Sequence, residues 1–249
     1  MPNFQPIQND RHAKLRWKRT ASFSFAAGEA LAPITLDEVP RAALAMPLAF
    51  VADADDAGAY QLVAVQGVQP GRNLCVGADG VWQADYLPAA YRSLPFRLGR
   101  VDDGKRVVLC IDEDMGLAAD GEPGEPFFGA DGKPGSELSQ VWDFLNRLAR
   151  DREATREACA VLTRLGLIQS WALKFQDGER EQAVNGLFRI DHAAFEALPA
   201  EALAELRQVG ALPLVYLQPM SAQNFGRLAR YARQGAAART NGSTPPDAQ

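Results

Sequence analysis

Histidine is nearly absent from this chain of 249 residues, which has only His12 and His192. The first lies in a basic N-terminal stretch and the second at a predicted helix start, so a histidine-rich zinc or non-haem iron site is not expected. Cysteine is almost as scarce. Cys75, Cys110 and Cys159 are odd in number and far apart, which leaves no disulfide framework and no CxxC metal or redox motif. Each stands between apolar neighbours, which predicts buried packing rather than a reactive thiol, in a reducing compartment. No apolar run approaches the ~20 residues that span a bilayer, and the start MPNFQPIQNDRHAKLRWKRT lacks the apolar centre of a signal peptide. The expectation is a cytoplasmic protein with no membrane span. Positive charge is also in deficit. With 26 Lys and Arg against 31 Asp and Glu the formal net charge is -5, which argues against general affinity for nucleic acid or anionic lipid.

The familiar catalytic signatures are missing too. There is no Gly-x-Ser-x-Gly and no GxGxxG turn, and neither histidine has a neighbour that suggests activation of a nucleophile. The nearest approach to a phosphate-binding loop runs from Gly99 to Lys105, but Arg106 stands where a magnesium-ligating Ser or Thr is needed. Between two apolar runs, that segment reads as a hairpin turn. Asp112, Glu113, Asp114, Asp120, Glu122 and Glu125 form an acid-rich cluster of the oxygen type that hard cations prefer. The calcium-loop register fails, with Leu117 at the glycine position and Pro123 at the last ligand position. No metal, cofactor or catalytic residue is assigned.

What is present describes an ordered globular chain, 47% hydrophobic and 23% charged. Residues 1–20 read as a basic arm in which Arg11, Lys14, Arg16, Lys18 and Arg19 surround Trp17, either solvated or a patch that binds an acidic partner. Residues 21–234 read as one α+β domain: strand-rich over 21–112, an acidic Gly/Pro loop over 113–135 anchored by Phe127 and Phe128, and helix-rich over 136–234. Residues 235–249 read as a disordered tail.

Alternation predicts a strand at 22–25, and Thr35 to Glu38 has the spacing of a capping box, with Pro40 expected to distort the helix it opens. Strands follow at 48–51 and 60–65, and a hairpin joins 96–101 to 107–111. A helix capped by Ser136 reaches 165 and stops at Gly166, with Arg152 and Thr155 interrupting its apolar seam. A second hairpin pairs 171–175 with 184–190 about Asp177-Gly178. Asp191 caps a short helix, Gly210 stops the next, 212–217 returns as a strand, and Ser221 caps the last helix. The stretches after Ile34 and Ile190 both read as cap, helix, apolar strand, an echo that suggests two related lobes. The fold class is α+β, an antiparallel sheet with helices packed on one side.

Several segments in order, Pro70-Gly71-Arg72-Asn73-Leu74, Gly80-Val81-Trp82 and Tyr86-Leu87-Pro88-Ala89-Ala90-Tyr91-Arg92-Ser93-Leu94-Pro95-Phe96 among them, resemble the SapC family of bacterial proteins. Leu109 to Glu113, Glu125-Pro126-Phe127-Phe128 and Gly186 to Asp191 continue the resemblance, which covers residues 4–228. It implies a supporting role in surface-layer or uptake systems, since relatives are encoded near TonB-dependent receptors and halogenase-like flavoproteins, and it brings no established catalytic residue.

Two readings stay open. One is a non-enzymatic accessory protein with a protein partner, serving a surface-layer, nutrient-uptake or peptide-modification system. The other is an enzyme or small-ligand-binding protein whose site joins the acidic-loop carboxylates Asp112, Glu113 and Glu125 to the cations Arg92 and Arg152. There a carboxylate would act as base or metal ligand while arginine holds an anionic substrate. The run Trp82, Tyr86, Tyr91, Arg92, Phe96, Arg97 either lines a ligand surface or is core aromatics with rim arginines.

Overall fold

The computed structural model describes residues 3–101, 104–119, 121–177 and 180–241. In chain order the elements are β1 (Phe4–Pro6), α1 (Asn9–His12), β2 (Arg16–Trp17), β3 (Leu31–Pro33), α2 (Val39–Ala45), β4 (Leu48–Ala52), β5 (Tyr60–Val65), α3 (Ala89–Arg92), β6 (Phe96–Val101) and β7 (Arg106–Asp112). Then come α4 (Glu113–Gly116), β8 (Glu125–Pro126), α5 (Ser136–Arg164), β9 (Ile168–Ser170), β10 (Leu173–Asp177), β11 (Arg180–Val184), β12 (Phe188–Ile190), α6 (His192–Glu196), α7 (Ala200–Gln208), α8 (Leu212–Ser221) and α9 (Phe225–Asn241). Among the described residues every strand pairing is antiparallel, in keeping with the α+β reading.

The chain divides into two compact units, each assembled from separated stretches: Met1–Ala21 with Ala89–Arg150, and Ser22–Pro88 with Asp151–Gln249. In the first, β7 is the centre of a sheet of order β1-β7-β6, and β2 pairs with β8. The β6–β7 hairpin is the one expected, although Asp102 and Asp103 of its turn lie outside the described residues. Leu138, Val141, Leu145 and Leu148, one face of α5 at spacings of three and four, close the core with Trp17, Phe96, Ile111 and Phe127.

The N-terminal residues are not a solvated arm. Phe4 to Pro6 pair with Cys110 to Asp112, His12 is fully buried, and Trp17 is 1% exposed with its ring edge-on to Phe96 at 4.8 Å. The physical reason is that the basic stretch and the acidic loop are each other's counter-ions. Arg11 pairs with Glu113, Lys18 with Glu122, and Arg16 donates to the Gly124 carbonyl. Apolar burial and local charge matching together hold in place a segment whose composition alone suggested solvent.

The second unit is built on a sheet of order β3-β5-β4-β12-β9. The Thr35 to Glu38 capping box is present, and Pro40 falls in the first turn of α2, where its missing N–H removes no helical bond. Strands β4 and β5 take their expected places.

Other expectations give way. Ser22 to Phe25 is not a strand: Ser24 to Ala26 form a single 3₁₀ turn, because Ser22 Oγ accepts from the Ser24 amide and bends the chain. The second hairpin is β10 with β11, while β12 pairs with β9 and β4; Gly178 of its turn lies outside the described residues. Residues 212–217 are not a strand but the start of α8. Six apolar residues fit either structure, and what decides is Pro213 in a first helical turn together with burial at Leu214, Val215, Gln218 and Ser221.

Ser221 therefore ends α8 and does not cap α9. The two echoed stretches both lie in this unit, and the second ends in helix where the first ends in strand. Helix α9 continues past Gly235 to Asn241, and residues 242–249 of the expected tail lie outside the described residues.

Candidate functional site

Of the five residues singled out from sequence, four lie in the first unit, where Arg92 lines a pocket that Asp112, Glu113 and Glu125 do not border, and Arg152 lies in the second. Asp112, 4% exposed, caps α4: its Oδ1 accepts from the amides of Asn3 and Asp114, both at 3.2 Å. Glu113 follows, with its side chain 12% exposed and its two oxygens held by Arg11 at 2.6 and 2.5 Å. Its Oε1 also lies 3.3 Å from His12 Nε2, near enough for charge to act but without the alignment of a hydrogen bond. The hydrogen bonds and charge of Arg11, with a smaller contribution from His12, hold the Glu113 carboxyl below the usual carboxylate range against the opposing effect of burial. These groups are joined to one another as a structural knot. Glu125 is exposed on β8, and Arg152 is exposed on α5 in the second unit.

Arg92 belongs to a different place. In the first unit, a surface pocket of about 530 Å³ gathers Arg19 from beyond β2, Arg92 from the end of α3 and Arg147 from α5. Phe96 and Val141, both buried, form an apolar floor, and Ser93, Gln140, Asp143 and Phe144 complete the wall. Gln140, Phe144 and Arg147 reach the pocket together because spacings of four and three set them on one flank of α5.

Two of the guanidiniums rest on rings. Arg92 lies over Phe144 at 5.5 Å and Arg19 over Trp17 at 5.6 Å. A guanidinium over a ring is held there by cation–π attraction, which restrains where these two cations sit. Among the described residues, Arg19 and Arg147 form no ion pair with a carboxylate. Arg19 and Arg147 together outnumber the one carboxylate of the lining, Asp143, which favours anions in the pocket.

The opposite flank of α5 borders a smaller, mainly apolar groove of about 300 Å³, lined by Ile7, Leu109, Phe128, Leu138 and Trp142. The three thiols offer no chemistry at either opening. All are buried, and burial pushes Cys75 and Cys159 up to about 12 and raises Cys110. Among the described residues no cluster of His, Cys, Asp and Glu is placed to hold a metal ion, and no helix is long and apolar enough to cross a membrane.

The sequence pattern of one protein family, described as SapC, matches residues 7–228. The chain belongs to the SapC family. No curated protein and no solved structure matches it. The matched span of this SapC-family chain takes in most of both units and every residue of the arginine pocket. Of those residues the sequence offers Arg92 as a ligand-binding candidate, Phe96 with it in a run that could line a ligand surface, and Arg19 in a basic patch read as a solvated arm or a site for an acidic partner; Gln140 and Arg147 it does not single out. Their signal was the four-and-three spacing of Gln140, Phe144 and Arg147 on the flank of α5 next to its buried seam.

Proposed function

We propose that this SapC-family chain is a cytoplasmic accessory protein that works by binding a protein partner, in support of a bacterial surface-layer, nutrient-uptake or peptide-modification system. Its arginine pocket receives an acidic feature of that partner. The observation that carries the reading is the convergence of Arg19, Arg92 and Arg147 on one opening with an apolar floor. Guanidinium stays protonated at every accessible pH, so such a cluster holds and orients an anion without exchanging protons with it. The groups best suited to acid–base chemistry point the same way, since Asp112 is engaged by backbone amides and Glu113 by Arg11.

The test is affinity capture from native cells at endogenous levels, comparing the natural chain with an Arg19→Gln, Arg92→Gln, Arg147→Gln variant whose circular dichroism is unchanged. A discrete companion recovered with the natural chain and lost with the variant is the expected result. Recovery of no specific companion, or of the same one by both proteins, overturns the proposal.

A further inference from the structure

We infer that the arginine pocket recognises a carboxylate carried beside an apolar side chain, the chemistry presented by the last residue of a polypeptide. The inference rests on the partner-binding reading and narrows what the pocket takes. Its first support is the composition of the wall. Arg19 and Arg147, which form no ion pair with a carboxylate among the described residues, leave a modest positive excess over Asp143, suited to a single carboxylate and poorly matched to a polyphosphate or a run of phosphodiesters.

Its second support is the apolar part of the wall. Phe144, half-buried, lines the pocket under Arg92, and Phe96 and Val141, 2% and 5% exposed, close the lining around it with no polar side chain of their own. A ligand that is all charge would leave the exposed part of Phe144 wet. One with an aromatic or branched aliphatic group beside its carboxylate covers that ring while its oxygens meet guanidinium N–H groups.

Third, Gln140 places an amide, which both donates and accepts, on the same wall, and that complements the peptide group borne on the same Cα as a terminal carboxylate. The volume of about 530 Å³ accommodates a large side chain with its carboxylate and the adjoining amide, and exceeds what a bare inorganic anion fills. Asp143 stands at the crest of α5 between pocket and groove, where it repels a second carboxylate and so disfavours a continuous acidic run.

The experiment measures binding of four probes to the full chain by calorimetry: a Gly/Ser peptide ending in phenylalanine with a free carboxylate, the same peptide amidated, N-acetylphenylalanine, and an amidated Gly/Ser peptide with an internal Asp-Asp pair. The free-acid peptide is expected to bind saturably, with amidation and Arg147→Gln each weakening it at least about tenfold, as loss of a charge-assisted contact should. Asp143→Asn is expected to strengthen it by about twofold.

N-acetylphenylalanine binding as tightly as the peptide supports the recognition chemistry and assigns its source to a free small acid. Equal binding of the free-acid and amidated peptides, or no saturable binding of the free acid, overturns the inference. If the internal Asp-Asp peptide alone binds, and loses binding in the triple glutamine variant, the inference falls while the protein-partner reading stands. Arg147 makes no ion pair among the described residues, so Arg147→Gln removes charge with little risk to folding, and unchanged circular dichroism confirms the comparison.

Discussion

Replacing Gln218 by leucine tests whether α8 is stitched to the sheet of the second unit through its polar side chains. Strands β4 and β12 share a single aligned pair, Phe188 with Phe50, and beside it the Gln218 amide bridges their backbones. Its Oε1 accepts from the Ile190 amide at 3.1 Å and its Nε2 donates to the Leu48 carbonyl at 2.9 Å, at a site with no solvent exposure. Ser221 completes the stitch, accepting from the Leu48 amide at 2.8 Å and donating to the Gln218 carbonyl at 2.5 Å.

Leucine keeps the volume and strands two buried backbone groups, each costing about 1–3 kcal/mol, while the extra apolar burial returns part of that; the net loss expected is about 2–4 kcal/mol. Urea unfolding measures the loss, and amide hydrogen exchange at Ile190 locates it. Glutamate is the sharper variant. It keeps an acceptor for Ile190 but turns a carboxylate oxygen toward the Leu48 carbonyl, so burial raises its folded pKa above the unfolded value. Stability in Gln218→Glu is therefore recovered at low pH, where a protonated carboxyl can donate to Leu48, and lost as pH rises through the folded pKa. A Gln218→Leu loss under about 0.5 kcal/mol with Ile190 exchange unchanged refutes the stitch, because an unpaired buried amide cannot be that cheap.

Glu113→Gln lowers the unfolding midpoint at neutral pH, because Arg11 holds the carboxyl below its ordinary range. For such a depressed acid the stabilisation is complete above the unfolded pKa and disappears as pH falls through the folded one, so the natural and variant midpoints converge in the acid limb; parallel curves down to low pH refute the assignment. The native thiols react slowly with a disulfide reagent at neutral pH, since pKa values of about 12 for Cys75 and Cys159 leave roughly one thiolate in 10⁵. Denaturant should release all three, and rapid stoichiometric labelling of the native chain refutes their burial.

The elements legible from sequence are those whose signals are local. The Thr35 to Glu38 box, the β6–β7 hairpin and the long helix ending at Gly166, whose φ of 67° suits glycine, each declare themselves within a few residues. Misreadings arise where a local pattern has two solutions and a distant partner chooses. The apolar run from Leu212 could pair as strand or pack as helix, and Gln218 meeting Leu48 and Ile190 belongs to the helical choice. The discontinuous division into two units has no local mark at all, because Pro88 to Ala89 and Arg150 to Asp151 are ordinary points in the chain.

The site follows the same rule with a different consequence. Charge complementarity between the basic N-terminal stretch and the acidic loop was written in the composition, and it satisfies within the fold the very groups, Glu113 and Arg11, that looked available for outside work. An arginine's role cannot be read from its neighbours in sequence, since it depends on whether the fold brings it a carboxylate. Arg11 receives one. Arg19, eight positions later in the same basic stretch, lies instead over Trp17 and lines a pocket with Arg92 and Arg147, and the proposed recognition role rests on that difference.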